Sequence, residues 1–168
     1  MANFNEHALE MSIMELLKDE GYTYVSGDQI HRERTEVLLT DDLKQYLYNR
    51  YAADGLTPSE VESIILMLRN ISGTIYEANK AVLKLLCDGF IFNREDRTQK
   101  DLYIELIDFD TPENNIFKAV NQFEIEGINN QLRIPDGIVF VNGIPVVSLS
   151  CRDCGFSPYR CFQFLRLS

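Results

Sequence analysis

The sequence has 168 residues, of which 45% are hydrophobic, a length and composition that suit one domain with a single core. It carries 16 Lys and Arg against 26 Asp and Glu, and the net charge of −10 argues against a protein whose whole surface binds nucleic acid. No apolar stretch approaches the ~20 residues of a membrane span, and the N-terminus lacks the basic and apolar regions of a signal peptide, so we expect a cytoplasmic protein without membrane contact.

The chain opens with a predicted amphipathic helix, from Glu6 to Glu20. Apolar side chains recur there at helical spacing, at Leu9, Ile13, Leu16 and Leu17. Gly21 is the expected end of this helix. Glu6 and Glu10 lie one turn apart, and Glu10 borders the apolar stripe. Taken alone, these two residues are typical of exposed acids in a first turn, where the helix dipole favours negative charge.

A helical insert, about residues 38–90, is predicted after a short strand at Tyr22–Ser26. It contains three helices, which we expect at Thr40–Ala52, Thr57–Asn70 and Ile75–Asp88. Thr40 or Asp41 is the expected cap of the first helix. Thr57-Pro-Ser-Glu60 supplies the second helix with a capping residue, a proline at the first position and a glutamate at the third. We interpret the insert as scaffold.

The chain beyond the insert is predicted to consist mainly of strands. A short strand at Phe90–Asn93 precedes a core strand at Leu102–Phe109, and Asp110–Asn115 has the composition of a turn. Residues Phe117–Glu126 are predicted to form one strand, with one face made of Phe117, Ala119, Asn121, Phe123 and Ile125. Residues 131–152 are predicted to form a hairpin, because two apolar segments flank Asn142-Gly143.

Three segments carry a resemblance to a known family. They are Leu106-Ile-Asp-Phe-Asp-Thr-Pro-Glu-Asn-Asn-Ile-Phe117, Val120-Asn-Gln-Phe123 and the hairpin at 131–152. Together they resemble the N-terminal domain of the R subunit of type I restriction-modification enzymes, whose pattern is roughly LIDFDNPENN, VNQF, RPD and VNGLPLVVIEXK. The match is dense over about 106–147. The resemblance implies an α/β (mixed α+β) fold, in which helices flank a small mixed β-sheet with a restriction-endonuclease-like core.

The resemblance also implies a site of the PD-(D/E)XK nuclease superfamily, in which carboxylates hold Mg²⁺ beside a lysine. Asp136 matches the family's aspartate, and a glutamate of the first helix often joins such a site, which favours Glu10 over Glu6. Asp136 and Glu10 are therefore the expected metal ligands. Ser150 stands at the family's Glu position and Arg152 at its Lys position. A neutral hydroxyl is a poor Mg²⁺ ligand, and arginine stays protonated, so we expect this chain to be inactive.

The register of the hairpin decides which side chains share a face. A two-residue turn would pair Val141 with Ile144 and put Asp136 and Ser150 on opposite faces of the sheet. A three-residue connection with a bulge would pair Phe140 with Ile144 and put them on one face. A plain hairpin prefers neither register. The nuclease resemblance requires the shared face, or a compensating bulge near Pro135, and we predict that Glu10 approaches it.

The last residues differ in composition from the rest. Residues 151–168 hold three Arg, one Asp and three of the four Cys. We interpret residues 1–152 as the nuclease-like domain and 153–168 as an atypical tail from a frameshifted or degenerate end. We expect this tail to be loosely packed, or packed in a way that differs from the family. Cys151, Cys154 and Cys161 also have the spacing of zinc ligands but lack an evident fourth, and a redox Cys-x-x-Cys has no thioredoxin-like context here.

The resemblance implies partners as well as chemistry. The family cleaves DNA within a complex of restriction, modification and specificity subunits, and couples cleavage to ATP hydrolysis. The sequence has no Walker A motif, so ATP is expected to act only in motor domains absent from this chain. The alternative is a non-catalytic remnant that keeps only DNA or subunit contacts.

Overall fold

The computed structural model describes residues 6–127, 131–149 and 162–163. In chain order these residues form α1 (Glu6–Asp19), β1 (Thr23–Ser26), α2 (Thr40–Arg50), α3 (Pro58–Arg69), α4 (Ile75–Asp88), β2 (Phe90–Phe92), β3 (Leu102–Ile104), β4 (Phe117–Asn121), β5 (Ile125–Glu126), β6 (Leu132–Arg133), β7 (Gly137–Val141), β8 (Ile144–Leu149) and β9 (Phe162–Gln163). The predicted α/β class is confirmed. No helix among these residues is long and apolar enough to cross a membrane.

The chain divides into two compact units. One contains the described residues up to Val37 and those from Phe117, and the other is Leu38–Ile116. The second unit begins where the helical insert was expected and continues beyond residue 90, through β2 and β3.

The first unit is built on a five-stranded mixed sheet of order β1-β4-β7-β8-β9. β1 runs parallel to β4, with Thr23 opposite Lys118, and the other neighbours are antiparallel. In the predicted tail, Phe162 and Gln163 pair with Leu149 and Ser148 of β8. The remaining residues from 150 onward lie outside the described part of the chain.

Helix α1 packs on one face of this sheet. Met14, Ala119 and Leu149 form a buried cluster, with Ile13, Leu17 and Val147 around it. Gly137 lies directly under Met14, since a β-carbon there would overlap the methionine's terminal methyl group. The helix stops at Asp19, and Gly21 takes a φ of 92°, which confirms the predicted end.

Strand β4 is shorter than predicted. The prediction of one strand over Phe117–Glu126 is wrong, because Gln122 adopts a φ of 51° and ends the ladder at Asn121. Phe123 is fully buried and packs against Phe140, with the Arg32 guanidinium 3.4 Å from the Phe123 ring centroid. The chain resumes pairing only in the two-stranded sheet of β5 and β6.

The β7–β8 hairpin has a two-residue turn followed by a bulge. Asn142 and Gly143 both have positive φ, and Val141 pairs with Ile144, so the turn has two residues and the three-residue alternative is wrong. The ladder then shifts: Phe140 pairs with Pro145, but Val139 pairs with Val147. Val146 is therefore the extra residue of a bulge in β8 rather than near Pro135.

The second unit has a helical core and one small hairpin. Its buried apolar residues include Leu43, Leu47, Val61, Ile64, Ile65 and Leu68. Capping boxes at Thr57–Glu60 and Thr74–Glu77 start α3 and α4, the first as predicted. The expected cap of α2 at Thr40 or Asp41 is wrong, since Leu39 is the N-cap residue and gives no side-chain hydrogen bond.

The predicted core strand at Leu102–Phe109 is wrong beyond Ile104. β3 pairs only with β2, and the chain then folds into a loop around the buried Asp108. The Asn115 side chain accepts from the Asp108 backbone N–H and donates to the Asp108 carbonyl, at 2.9 and 2.8 Å. A side-chain amide thus completes hydrogen bonds that a neighbouring strand would otherwise supply.

Candidate functional site

Glu10 is a buried acid on α1. It is 5% exposed and lies one helical turn before Met14, on the side of the helix that faces the sheet. The alternative interpretation of Glu10, as an exposed acid in the first turn of the helix, is therefore wrong. The side chain of Glu6 lies outside the described residues.

Two amides bind the same oxygen of Glu10. Asn121 Nδ2 donates to Oε1 at 3.0 Å, and Gln122 Nε2 donates to it at 3.1 Å. The Tyr24 hydroxyl donates to Asn121 Oδ1 at 3.0 Å and so fixes the orientation of that amide. The Nδ1 atom of His7 lies 3.7 Å from the other oxygen, Oε2.

The backbone of Gln122 makes the double contact possible. Successive side chains of a regular strand point to opposite faces, so Asn121 and the next residue could not both reach one carboxylate on α1. The φ of 51° at Gln122 breaks this alternation. A non-glycine residue in the left-handed region loses roughly 1–2 kcal/mol, which indicates that the surroundings hold it there.

Asp136 lies at the same end of the sheet. It is 6% exposed and directly precedes Gly137, which pairs with Asn121 across the β4–β7 ladder. Asn121 in turn binds Glu10. The two predicted acids therefore belong to one neighbourhood, where α1 crosses the end of β4 and the start of β7.

Ser150 and Arg152 lie outside the described residues, and so does the predicted shared face of Asp136 and Ser150. Within the ladder, Ile138 pairs with Ser148 because of the bulge at Val146. Cys151, Cys154 and Cys161 also fall outside the described part, whereas Cys87 is an exposed free thiol.

Across residues 6–127, 131–149 and 162–163, no three His, Cys, Asp or Glu side chains gather where they could hold a metal ion. Oε1 of Glu10 already accepts two hydrogen bonds. What the arrangement does is hold one buried carboxylate in a fixed orientation.

The sequence prediction named Glu10 and Asp136 as site residues but did not name the residues that contact Glu10. Asn121 and Gln122 stand in the Val-Asn-Gln-Phe segment that carried part of the resemblance. The segment signalled their importance, but not their role, because a strand pattern gives no reason to place two consecutive side chains on one face. Tyr24 carried no signal of its own.

Comparison with known proteins gives consistent results. Residues 3–153 match the family described as type I restriction enzyme R protein N terminus. The chain is 31% identical to the type I restriction enzyme HindI endonuclease subunit of Haemophilus influenzae, over 89% of the chain and 15% of that protein. It is 31% identical to a protein of Methanocaldococcus jannaschii named as the MjaIXP endonuclease subunit, over 86% of the chain and 15% of that protein. It is 26% identical to the type I restriction enzyme SsaAORF53P endonuclease subunit of Staphylococcus saprophyticus, over 95% of the chain and 16% of that protein.

Proposed function

This chain belongs to the family of type I restriction enzyme R protein N termini, and we propose that it is the nuclease-like domain of an R subunit that does not cleave DNA itself. The chain spans about 15% of the length of the curated relatives named above. ATP-driven movement on DNA would belong to motor domains outside this chain. DNA and the modification and specificity subunits are its proposed partners, and the cytoplasm its proposed location.

One observation carries the nuclease assignment. A buried glutamate of the first helix is held at the end of the sheet where Asp136 enters β7. In a nuclease of this superfamily, acids at such positions would hold Mg²⁺, and the metal would supply an activated water and neutralise charge on the phosphate.

The proposed lack of activity is supported by the donor set. Ser150 and Arg152 stand where the family has Glu and Lys, and the described acids do not gather into a three-ligand site. Loss of a carboxylate ligand is expected to reduce the cleavage rate by ~10³-fold or more.

The test is cleavage of plasmid DNA by the purified chain with Mg²⁺ or Mn²⁺. We expect no cleavage, and we expect Ser150→Glu with Arg152→Lys to tighten Mn²⁺ binding in calorimetry. Reproducible cleavage that Asp136→Ala abolishes would contradict the proposal. DNA retention in a gel-shift assay, without cleavage and without a gain in Mn²⁺ affinity, would instead favour a non-catalytic DNA-binding remnant.

A further inference from the structure

We propose that Asn121 and Gln122 form an amide clamp that holds the Glu10 carboxylate in place of a metal ion, with Gln122 as its positioning residue. The proposal concerns how this chain keeps a buried acid in position. It requires no DNA and no cleavage, so it stands or falls separately from the proposed function.

The first support is the burial of charge. A carboxylate removed from water is unfavourable unless hydrogen bonds or a cation compensate it. Among the residues that the structure describes, the ion-pair partner of Glu10 is His7, which is 72% exposed and 3.7 Å away. The short contacts are the two amide donors at 3.0 and 3.1 Å, both on Oε1.

The second support is the choice of residue at position 122. The turn at the end of β4 needs a left-handed backbone, and glycine would supply it without strain. Glycine has no side chain to donate to Glu10. A glutamine in this conformation is explained by its amide, which the left-handed backbone brings beside that of Asn121.

The third support is the rigidity of the clamp. Asn121 is 6% exposed, its Oδ1 accepts from Tyr24, and its backbone is paired on both sides, with Ser26 and with Gly137. After Gln122 the chain is anchored by the buried Phe123, which packs between Phe140 and Arg32. The buried Asn121 amide is therefore held in place, whereas Gln122 is exposed and is positioned through its backbone, between Asn121 and the buried Phe123.

The test compares unfolding in EDTA with unfolding in Mg²⁺ or Mn²⁺. We expect the unfolding equilibrium of the unmodified chain to be the same in all three. Gln122→Glu replaces a donor with a second carboxylate beside Glu10. We expect it to favour unfolding by about ten-fold or more in EDTA, and Mn²⁺ to recover most of that loss because the cation binds only the folded form.

Two further variants keep the test decisive if Gln122→Glu alone folds poorly. The exchange Glu10→Gln with Gln122→Glu again gives one carboxylate and one amide, and we expect it to restore stability and remove the response to Mn²⁺. Gln45→Glu, on the exposed side of α2, is the matched control for an added charge. Its unfolding equilibrium should match that of the unmodified chain, both in EDTA and in Mn²⁺.

A spectroscopic readout separates positioning from simple support of the fold. The side-chain amide resonances of Asn121 and Gln122 should both move in Glu10→Ala and should not move when Mg²⁺ is added to the unmodified chain. Stabilisation of the unmodified chain by Mg²⁺ over EDTA would overturn the proposal. So would an exchange variant no more stable than Gln122→Glu alone.

Discussion

Gly27 lies against the backbone of Gln122. A β-carbon at position 27 would overlap the carbonyl of Gln122 and come within 2.9 Å of the Asn121 carbonyl oxygen. Gly27 begins the short 3-10 turn after β1, and Gln122 directly follows the last residue of β4. The absence of a side chain at 27 therefore lets the residues that hold Glu10 approach the end of β1.

We expect Gly27→Ala to destabilise the chain by about 1–3 kcal/mol, because the atoms in the way are backbone and cannot rotate aside. Urea unfolding followed by circular dichroism measures this. Gly127→Ala is the matched control, since its β-carbon would meet only the Gln131 carbonyl oxygen at 3.6 Å. Equal effects of the two substitutions would show that the close approach at Gly27 is unimportant.

Arg94→Met tests the buried ion pair of the second unit. Arg94 donates to both Glu60 oxygens, at 2.8 and 3.1 Å, and to the carbonyls of Asp54 and Gly55. Its loss leaves a buried carboxylate without its cation, so we expect a loss of about 3–5 kcal/mol in the free energy of unfolding. Arg97→Met, at an exposed arginine three residues on, should change it by less than about 0.5 kcal/mol.

The stability of the second unit should fall in acid. Burial by itself would raise the pKa of Glu60, but hydrogen bonds from the Thr57 backbone and Arg94 lower that pKa from 4.5 overall. The Asn114 side chain and the Thr111 backbone N–H lower the pKa of Asp108 from 3.8. Each carboxylate therefore stabilises the fold above its unfolded pKa, and this contribution disappears as the pH falls through the lower, folded value.

The measurement for this prediction is the urea midpoint between about pH 6 and about pH 3. We expect the urea midpoint to decline below about pH 4.5. We expect a shallower decline in Asp108→Asn, because Glu60 still titrates there and residue 108 does not. A midpoint that rises in acid, or an unchanged slope in the variant, would contradict the assignment.

Substitutions at Gly143 test the hairpin turn. Its φ is 76°, in the left-handed region that favours glycine. We expect Gly143→Val to lose about 1–2 kcal/mol, and Gly143→Asn to lose less because asparagine tolerates this region. Thermal unfolding of the two variants gives the comparison, and the reverse order would exclude the tight two-residue turn.

Much of the fold could be predicted because local chemistry fixes it. The ends of α3 and α4 follow from Thr57 with Pro58 and from the apolar spacing of Ile75–Asp88. The Asn142-Gly143 turn follows from the preference of these residues for positive φ. In each case the residues that decide the structure are neighbours in the chain.

The errors arise where distant contacts override the local pattern. Alternating apolar residues continue past Asn121, yet β4 ends because the Gln122 amide turns toward Glu10 on α1. The segment after Ile104 looks like a strand, yet Asp108 gathers Arg50, Asn114 and Asn115 around it and forms a loop. The bulge at Val146 likewise has no local signature, because the register of β8 depends on what its residues face across the ladder.

The parallel pairing of β1 with β4 has a kinetic consequence. Thr23 lies opposite Lys118, although the whole Leu38–Ile116 unit separates them in the chain. The entropy lost on closing a loop rises with its length, by about 0.6 kcal/mol for each doubling. The intervening unit has a core of its own, built from successive helices, and can collapse through short-range contacts. Its collapse shortens the flexible loop to the residues on either side of it. We therefore expect the edge strand β1 to join β4 late, after the intervening unit has collapsed.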